Sequence, residues 1–165
     1  MAKDESFDVV STVDMQEVDN AVQQTIKELA QRYDLKGTGS SVTLDKSAGS
    51  ITVAAPSDFV SKQVIDILGT KLIRRNVDLK ALQWGTPEAA SGGSVRQVGT
   101  VVNGIEADIA RKINKDIKDE KYKVKVQIEG DKLRVFSPKR DVLQEVIVFL
   151  KQQDYGIPLQ FVNYR

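Results

Sequence analysis

The chain has 165 residues, of which 41% are hydrophobic and 28% charged, a composition typical of a folded globular protein. It contains neither histidine nor cysteine, which excludes disulfides, thiolate metal sites, histidine-based zinc sites and serine–histidine catalytic triads. The net charge of +1 is too small to indicate a nucleic-acid-binding protein, and no run of about 18 apolar residues predicts a membrane-spanning helix.

Apolar periodicity in the first half of the chain predicts strand, helix, strand, strand, helix and strand. A strand near residues 6–11 leads to a helix after Asp14, which forms a capping-box pattern with Glu17. The helices are indicated by Met15, Val18, Val22, Ile26 and Leu29, and by Val60, Val64, Ile67, Leu68 and Leu72. The strands between them alternate at Val42, Leu44, Ile51 and Val53. A last strand near residues 79–84 precedes GTPEAASGGS, residues 85–94, whose composition predicts a linker.

The second half predicts the same succession of elements. A strand leads to a second capping-box pattern, Asn103 with Glu106, and to a helix marked by Ile105, Ile109, Ile113 and Ile117. Two strands follow, with apolar positions at Val124, Val126, Ile128, Leu133 and Val135. The second helix is indicated by Val142, Leu143, Val146, Ile147 and Leu150, and IPLQFVNY closes the sheet.

The two halves are an internal repeat. Residues 51–68 align with residues 133–150 at a constant offset of 82, with Pro56 matching Pro138. A βαββαβ unit folds as a split βαβ, ferredoxin-like sheet. The predicted fold class is therefore α+β, with two tandem ferredoxin-like (RNP-like) βαββαβ domains. Each has a four-stranded antiparallel sheet and two helices on one face.

The sequence carries no catalytic motif. KGTGSS, residues 36–41, matches neither the P-loop nor the G-x-G-x-x-G pattern, so Gly37 and Gly39 are interpreted as turn residues after a helix. No catalytic residue, cofactor or metal site is predicted, and the protein is predicted not to be an enzyme. The N-terminal MAKDESFD lacks the apolar stretch of a secretory signal, which favours the cytoplasm.

A candidate ligand surface lies in the second repeat, where residues 92–165 contain 14 Lys and Arg against 10 Asp and Glu. Strand alternation directs five side chains away from the predicted helices: Lys123, Lys125, Gln127, Arg134 and Phe136. Cations beside an aromatic ring suit a ligand with a phosphate and a flat base, and RRM domains bind single-stranded RNA on this sheet face. The alternative is that lysines merely keep an exposed strand soluble.

Several stretches of the chain resemble the signatures of a known family. They are SFDVVS at residues 6–11, DMQEVDNA at 14–21, RYDLKG at 32–37, SDF at 57–59, KVKVQIEGDKLRV at 123–135, RDVLQ at 140–144 and PLQFVNYR at 158–165. In this order, over nearly the whole chain, they resemble the YajQ family of small bacterial proteins.

The resemblance implies that the two domains exchange their first strands. Domain 1 would then comprise residues 12–90 with strand 95–101, and domain 2 residues 102–165 with strand 6–11, joined by the linker at 85–94. The family is described as nucleotide-binding, with RNA proposed as a ligand and cyclic di-GMP bound by some members, and no catalytic activity comes with the resemblance.

The leading hypothesis is a cytoplasmic, non-catalytic nucleotide- or RNA-binding protein that acts as an effector responsive to cyclic di-GMP or another nucleotide. The expected partners are GTP, ATP, cyclic di-GMP or RNA. The alternative is a protein–protein adaptor whose repeats dock a partner, with nucleotide binding incidental. Salt dependence separates the two, because phosphate contacts weaken steeply as salt rises.

Overall fold

The structure is a computed structural model that describes residues 4–165. Its first elements are β1 (Glu5–Val10), α1 (Met15–Gln31), β2 (Ser41–Asp45), β3 (Ser50–Ala55), α2 (Asp58–Arg74), β4 (Leu82–Trp84), β5 (Glu88–Ala89) and β6 (Val95–Val101). The remaining elements are α3 (Ala107–Asp119), β7 (Lys125–Glu129), β8 (Lys132–Ser137), α4 (Arg140–Gln152) and β9 (Gln160–Val162).

The strands form two antiparallel sheets whose first strands are exchanged. β1 pairs with β8 and β9, which gives the order β7-β8-β1-β9. β6 takes the equivalent central place in the other sheet, whose order is β2-β3-β6-β4. The predicted fold class is confirmed: over residues 4–165 the protein is α+β, with four α-helices and two ferredoxin-like βαββαβ arrangements.

Contacts divide the chain into two compact units. One unit is Val13–Val102, and the other combines the segment ending at Thr12 with Asn103–Arg165. Residues 85–94, predicted as a linker from composition, include β5, which pairs with the start of β6. These residues therefore form a hairpin inside the Val13–Val102 unit, and the chain passes between units after Thr12 and after Val102.

Each unit has its own apolar core. The Val13–Val102 core includes Val18, Val22, Ile51, Val53, Val64, Leu68 and Leu72. The fully buried residues of the other unit include Phe7, Val9, Ile113, Ile117, Leu133, Val135, Val146 and Leu150. Full burial of such a side chain contributes about 1.5–3 kcal/mol. Because Phe7 and Val9 come from β1, the N-terminal strand supplies part of the core it joins.

The two capping-box predictions have different outcomes. Asp14 is the N-cap of α1, and its side chain accepts a hydrogen bond from the Gln16 N–H at 3.0 Å, which confirms the N-cap half of the pattern. The Glu17 carboxylate accepts from Asn20 Nδ2 at 3.0 Å and from Arg75 Nη1 at 3.3 Å. The prediction for Asn103 is wrong, because α3 begins at Ala107 and Glu106 occupies its N-cap position without a side-chain cap bond. The intervening residues make tertiary contacts instead: Gly104 N–H donates to Ser11 O, and Ile105 N–H donates to Asp131 O at 2.9 Å.

Among residues 4–165, no helix is both long enough and apolar enough to span a bilayer.

Candidate functional site

One face of the β7-β8-β1-β9 sheet packs against α3 and α4, which contact β7, β8 and β1. Phe7, Val9, Leu133 and Val135 lie on that covered face and are fully buried. Because successive strand residues point to opposite sides, the residues alternating with these four lie on the opposite face, called here the uncovered face because α3 and α4 pack on the other side.

Four of the five residues predicted as a ligand surface lie together on the uncovered face. Lys125 is directly opposite Phe136, and Gln127 is directly opposite Arg134, in the antiparallel β7–β8 pair. Lys125 and Gln127 are exposed and Phe136 is half-buried. Side chains directly opposite one another on such strands have Cβ atoms about 4.5–5.5 Å apart, so a single ligand can contact both pairs.

The prediction that Lys123 belongs to this strand is wrong. β7 begins at Lys125, and Lys123 lies in a bend two residues earlier. The Val124 N–H donates to Tyr122 O at 2.9 Å, a local bond that turns the chain instead of pairing it with β8. The exposed Lys123 is therefore next to the sheet but not part of its strand register.

The centre of the uncovered face is a buried carboxylate. Asp8 on β1 is opposite Arg134 on β8 and has no exposed surface. Arg134 Nε donates to Asp8 Oδ1 at 2.9 Å, and Asn163 Nδ2 donates to Oδ2 at 2.7 Å. Lys132 Nζ lies 3.5 Å from the same Oδ2. A buried charge is tolerated only with such partners, so Asp8 is held as one member of a four-residue network.

Protonation of Asp8 reflects opposing effects. Burial by itself raises the pKa of the carboxyl group, but the hydrogen bonds from Arg134 and Asn163, with the charges of Arg134 and Lys132, outweigh it and lower the pKa. The hydrogen bond to Asp8 in turn raises the pKa of Arg134. Both groups are therefore ionised at neutral pH.

This network changes the interpretation of Arg134. Its side chain is only 20% exposed, and Nη2 also lies 3.7 Å from Glu129 Oε2. Arg134 thus has much of its charge balanced by carboxylates. Lys125 is exposed, and no ion pair joins it to a carboxylate in the described part of the chain, so it carries the freer positive charge of this surface.

Sequence reasoning missed Asp8, Lys132 and Asn163. Lys132 has the same parity as Arg134 and Phe136 on β8, so strand alternation alone would have placed it on the uncovered face. Alternation also directs Asp8 away from Phe7 and Val9, but only strand exchange brings it beside Arg134. Asn163 reaches Asp8 from a left-handed backbone position, φ 56°, just after β9, which periodicity does not reveal.

The equivalent face of the β2-β3-β6-β4 sheet has different chemistry. Thr43 is opposite Thr52, which is opposite Val98, and Ala54 is opposite Arg96. Thr43, Thr52 and Ala54 on this face are small and uncharged. The strand register adds Arg96, which comes from the exchanged β6.

The uncovered face of β7-β8-β1-β9 offers hydrogen-bond donors and a half-buried aromatic ring. Within residues 4–165 no group of three or more acidic side chains is arranged to hold a metal ion. Cationic and amide donors beside an aromatic side chain can hold a phosphate, contact the edge of a base and stack against its face.

Comparisons with known proteins place the chain in one family. A family profile described as "Nucleotide-binding protein YajQ-like" matches residues 5–165. The chain is 53% identical over 160 residues to a protein of Geotalea uraniireducens (strain Rf4) named "Nucleotide-binding protein", covering 97% of this chain and 98% of that protein. It is 51% identical over 165 residues to a protein of the same name from Desulfitobacterium hafniense (strain DSM 10664 / DCB-2), with each chain fully covered. The chain therefore belongs to the YajQ-like family of nucleotide-binding proteins.

Proposed function

We propose that this protein binds a nucleotide, or a nucleotide unit of single-stranded RNA, on the uncovered face of the β7-β8-β1-β9 sheet without transforming it chemically. The relatives' name, nucleotide-binding protein, supports the ligand class. The observation that supports this location of the binding site is the cross-strand register, in which Lys125 is opposite Phe136 and Gln127 is opposite Arg134.

Each residue has a distinct role in this proposal. Lys125 contacts a phosphate, since its ammonium group is exposed. The ring of Phe136 stacks against the base, and the Gln127 amide forms hydrogen bonds with the base edge or the sugar. Arg134 has five N–H donors, and those not directed at Asp8 or Glu129 remain for a ligand.

The ligands to compare are GTP, ATP, cyclic di-GMP and short single-stranded RNA. A non-catalytic protein that binds one of them in the cytoplasm would act as an effector, because binding is then its only output. Affinity for one compound well above the others would identify the ligand, and preference for RNA over all mononucleotides would favour an RNA-binding role.

A protein–protein adaptor is the second candidate, and one observation favours it. A cavity of about 380 Å³ in the Val13–Val102 unit is lined by apolar residues that include Ile73, Leu79 and Trp84. Ile73 is 58% exposed and Leu79 is 44% exposed, so apolar surface at this cavity is accessible to a partner. Binding of a partner through this surface would resist salt, unlike binding through phosphates.

The test is calorimetry with the mononucleotides and filter binding with the RNA, using Lys125→Ala and Phe136→Ala. Lys115→Ala on α3 is the matched control, because it removes an exposed charge from a helix. Lys125→Ala is expected to weaken binding by about 1–3 kcal/mol, and Phe136→Ala by a similar amount. Equal affinities of wild type, both variants and the control would place the ligand elsewhere.

A further inference from the structure

A polar groove runs between α1 and α2 in the Val13–Val102 unit. Two cavities, of about 480 Å³ and about 620 Å³, share Glu28, Lys71 and Arg74 in their linings. The residues of α1 and its C-cap that line them extend from Glu17 to Arg32, which corresponds to about 22 Å at 1.5 Å per residue. The groove is therefore too long for a mononucleotide to fill and suits an extended ligand.

An ion pair between α1 and α2 lies where the two cavities meet, because both cavities share Glu28 and Lys71 in their linings. Lys71 Nζ lies 2.8 Å from Glu28 Oε1, and the Lys71 side chain is only 16% exposed. Arg32 Nη1 lies 3.4 Å from Glu28 Oε2. The contact with Lys71 joins the two helices, and together Lys71 and Arg32 neutralise the charge of Glu28. Glu28 therefore does not neutralise the other cations of the groove.

Positive charge is concentrated along this groove. The Val13–Val102 unit has ten Lys and Arg and ten Asp and Glu, so its net charge is zero. Five of its ten cations line the groove: Lys27, Arg32, Lys71, Arg74 and Arg75. Only three of its ten acidic residues do so: Glu17, Glu28 and Asp66. A unit without net charge therefore presents one cationic groove.

Two of these cations have no carboxylate partner. Arg75 Nη1 is 3.3 Å from Glu17 Oε2, and Arg32 Nε is 2.8 Å from Asp34 Oδ1. Lys27 and Arg74 are exposed, and neither forms an ion pair in the portion of the chain that the structure describes. Arg74 also complements the dipole at the end of α2, but Lys27 lies before the last turn of α1, so the dipole does not account for it.

The remaining lining residues are hydrogen-bonding groups without an aromatic ring. They are Gln24, Gln31, Gln63, Thr70 and Asn76, beside the single apolar Ile67. Amide and guanidinium donors match phosphate oxygens, and the lack of an aromatic ring among these residues gives a base no surface for stacking.

We propose that the α1–α2 groove binds the phosphates of an extended polyanion, with Lys27 and Arg74 supplying the uncompensated positive charge. The shared chemistry is a chain of phosphates, found in the backbone of a single-stranded nucleic acid and in inorganic polyphosphate. This site is separate from the uncovered face of the β7-β8-β1-β9 sheet and does not depend on a ligand there.

The test uses the full chain with Lys27→Ala and Arg74→Ala combined. The matched control combines Lys115→Ala and Lys118→Ala, which removes the same charge from exposed positions on α3. The probes are a fluorescent oligouridine, followed by anisotropy over a range of salt, and sodium polyphosphate as competitor. The groove variant is expected to bind both oligouridine and polyphosphate about 10- to 100-fold more weakly than wild type. The slope of the logarithm of oligouridine affinity against the logarithm of salt concentration should become shallower by about 1.4. The control should change neither the affinities nor the slope.

The two sources of phosphate give different supporting results. If the groove variant loses affinity equally for oligouridine and polyphosphate, the site accepts nucleic-acid backbones as well as polyphosphate. If it loses affinity for polyphosphate alone, the ligand is inorganic. The proposal is overturned if wild type binds neither probe, or if the groove variant and the control lose affinity equally. Circular dichroism melting checks that both double variants remain folded.

Discussion

At the scale of single residues, the uncovered face of the β7-β8-β1-β9 sheet depends on a carboxylate from a distant part of the sequence. Asp8 holds Arg134 and Lys132 from β8 and Asn163 from the C-terminal segment. A buried charge of this kind is costly unless its partners stay in place, so the network orders the surface on which we propose that a nucleotide binds.

The first prediction concerns Asp8→Asn. The substitution keeps the shape but removes the charge that Arg134 and Lys132 neutralise, so the free energy of unfolding at pH 7 should fall by about 1–3 kcal/mol. Asp119→Asn, at an exposed position, is the control and should change stability by no more than about 0.5 kcal/mol. Urea unfolding measures both.

The pH dependence of the Asp8 effect follows from its lowered pKa. A carboxyl group with a lowered folded-state pKa stabilises the protein above its unfolded pKa of about 3.9, and this stabilisation is lost as pH falls through the folded-state value. The difference between wild type and Asp8→Asn should therefore be full near neutrality and shrink in acid below about pH 4. A difference that stays constant between neutral and acid pH would contradict the ion-pair explanation.

The second prediction separates Arg134 from Lys125, which strand alternation treats alike. Arg134→Ala deprives Asp8 of its closest cationic donor and should lower the free energy of unfolding by about 1–3 kcal/mol. Lys125→Ala should change it by no more than about 0.5 kcal/mol, because this side chain is exposed. Thermal and urea unfolding of the two variants provide the comparison, and equal stability losses would argue against the network.

At the scale of elements, the pairing of β4 with β6 depends on the absence of a side chain at Gly99. Gly99 is opposite Trp84, the only tryptophan, and also opposite the buried Ile51. A Cβ at Gly99 would lie 2.8 Å from Trp84 Cε3 and 3.0 Å from Leu82 Cδ1. The indole therefore packs over a glycine on the helix-covered side of its sheet, next to Ile65 and Ile73 of α2.

The third prediction compares two glycine-to-alanine substitutions. Gly99→Ala should displace Trp84 and destabilise the protein by about 1–3 kcal/mol, with a shift in tryptophan emission. Gly69→Ala in α2 should stabilise by about 0.5–1 kcal/mol, since alanine favours a helix and its Cβ would lie at an ordinary 3.7 Å from the Leu79 methyl groups. Unfolding followed by fluorescence tests both. Unchanged emission in Gly99→Ala would show that the indole tolerates the added carbon.

At the scale of the whole molecule, strand exchange means that a cut near the predicted linker separates strands from their sheets. β6 lies beyond residue 90 but pairs with β3, β4 and β5. β1 lies in the first twelve residues, but its partners β8 and β9 are in the second half of the chain. The compact units therefore do not coincide with the two sequence repeats.

The fourth prediction compares two fragments of equal length, residues 13–102 and residues 1–90. The first contains every strand of the β2-β3-β6-β4 sheet and should be soluble and unfold cooperatively in urea. The second lacks the central β6 and leaves unpaired backbone groups on β1, β3 and β4, so it should aggregate or unfold without cooperativity. A soluble fragment 1–90 with a sharp transition would contradict the strand exchange.

Much of the architecture was determined by the sequence alone. The repeat, the four helices and the alternation of β2, β3, β7 and β8 all follow from apolar periodicity, because burial of one face is a local constraint on residue spacing. The same alternation directed Lys125, Gln127, Arg134 and Phe136 to one side of the sheet, whereas the register that sets Lys125 opposite Phe136 and Gln127 opposite Arg134 is a property of the folded hairpin. The exchange of first strands was expected only from the family resemblance.

Only the tertiary structure shows which long-range contacts these elements make with one another. The carboxylate beside Arg134 comes from a strand residue 126 positions earlier in the chain, and periodicity cannot indicate which sheet an exchanged strand enters. The start of α3 was likewise set by the hydrogen bonds of Gly104 and Ile105 to other segments and not by the capping pattern of Asn103. Local spacing therefore determines which face of an element is buried, whereas the partners of a buried charge depend on long-range strand pairing, which only the folded chain specifies.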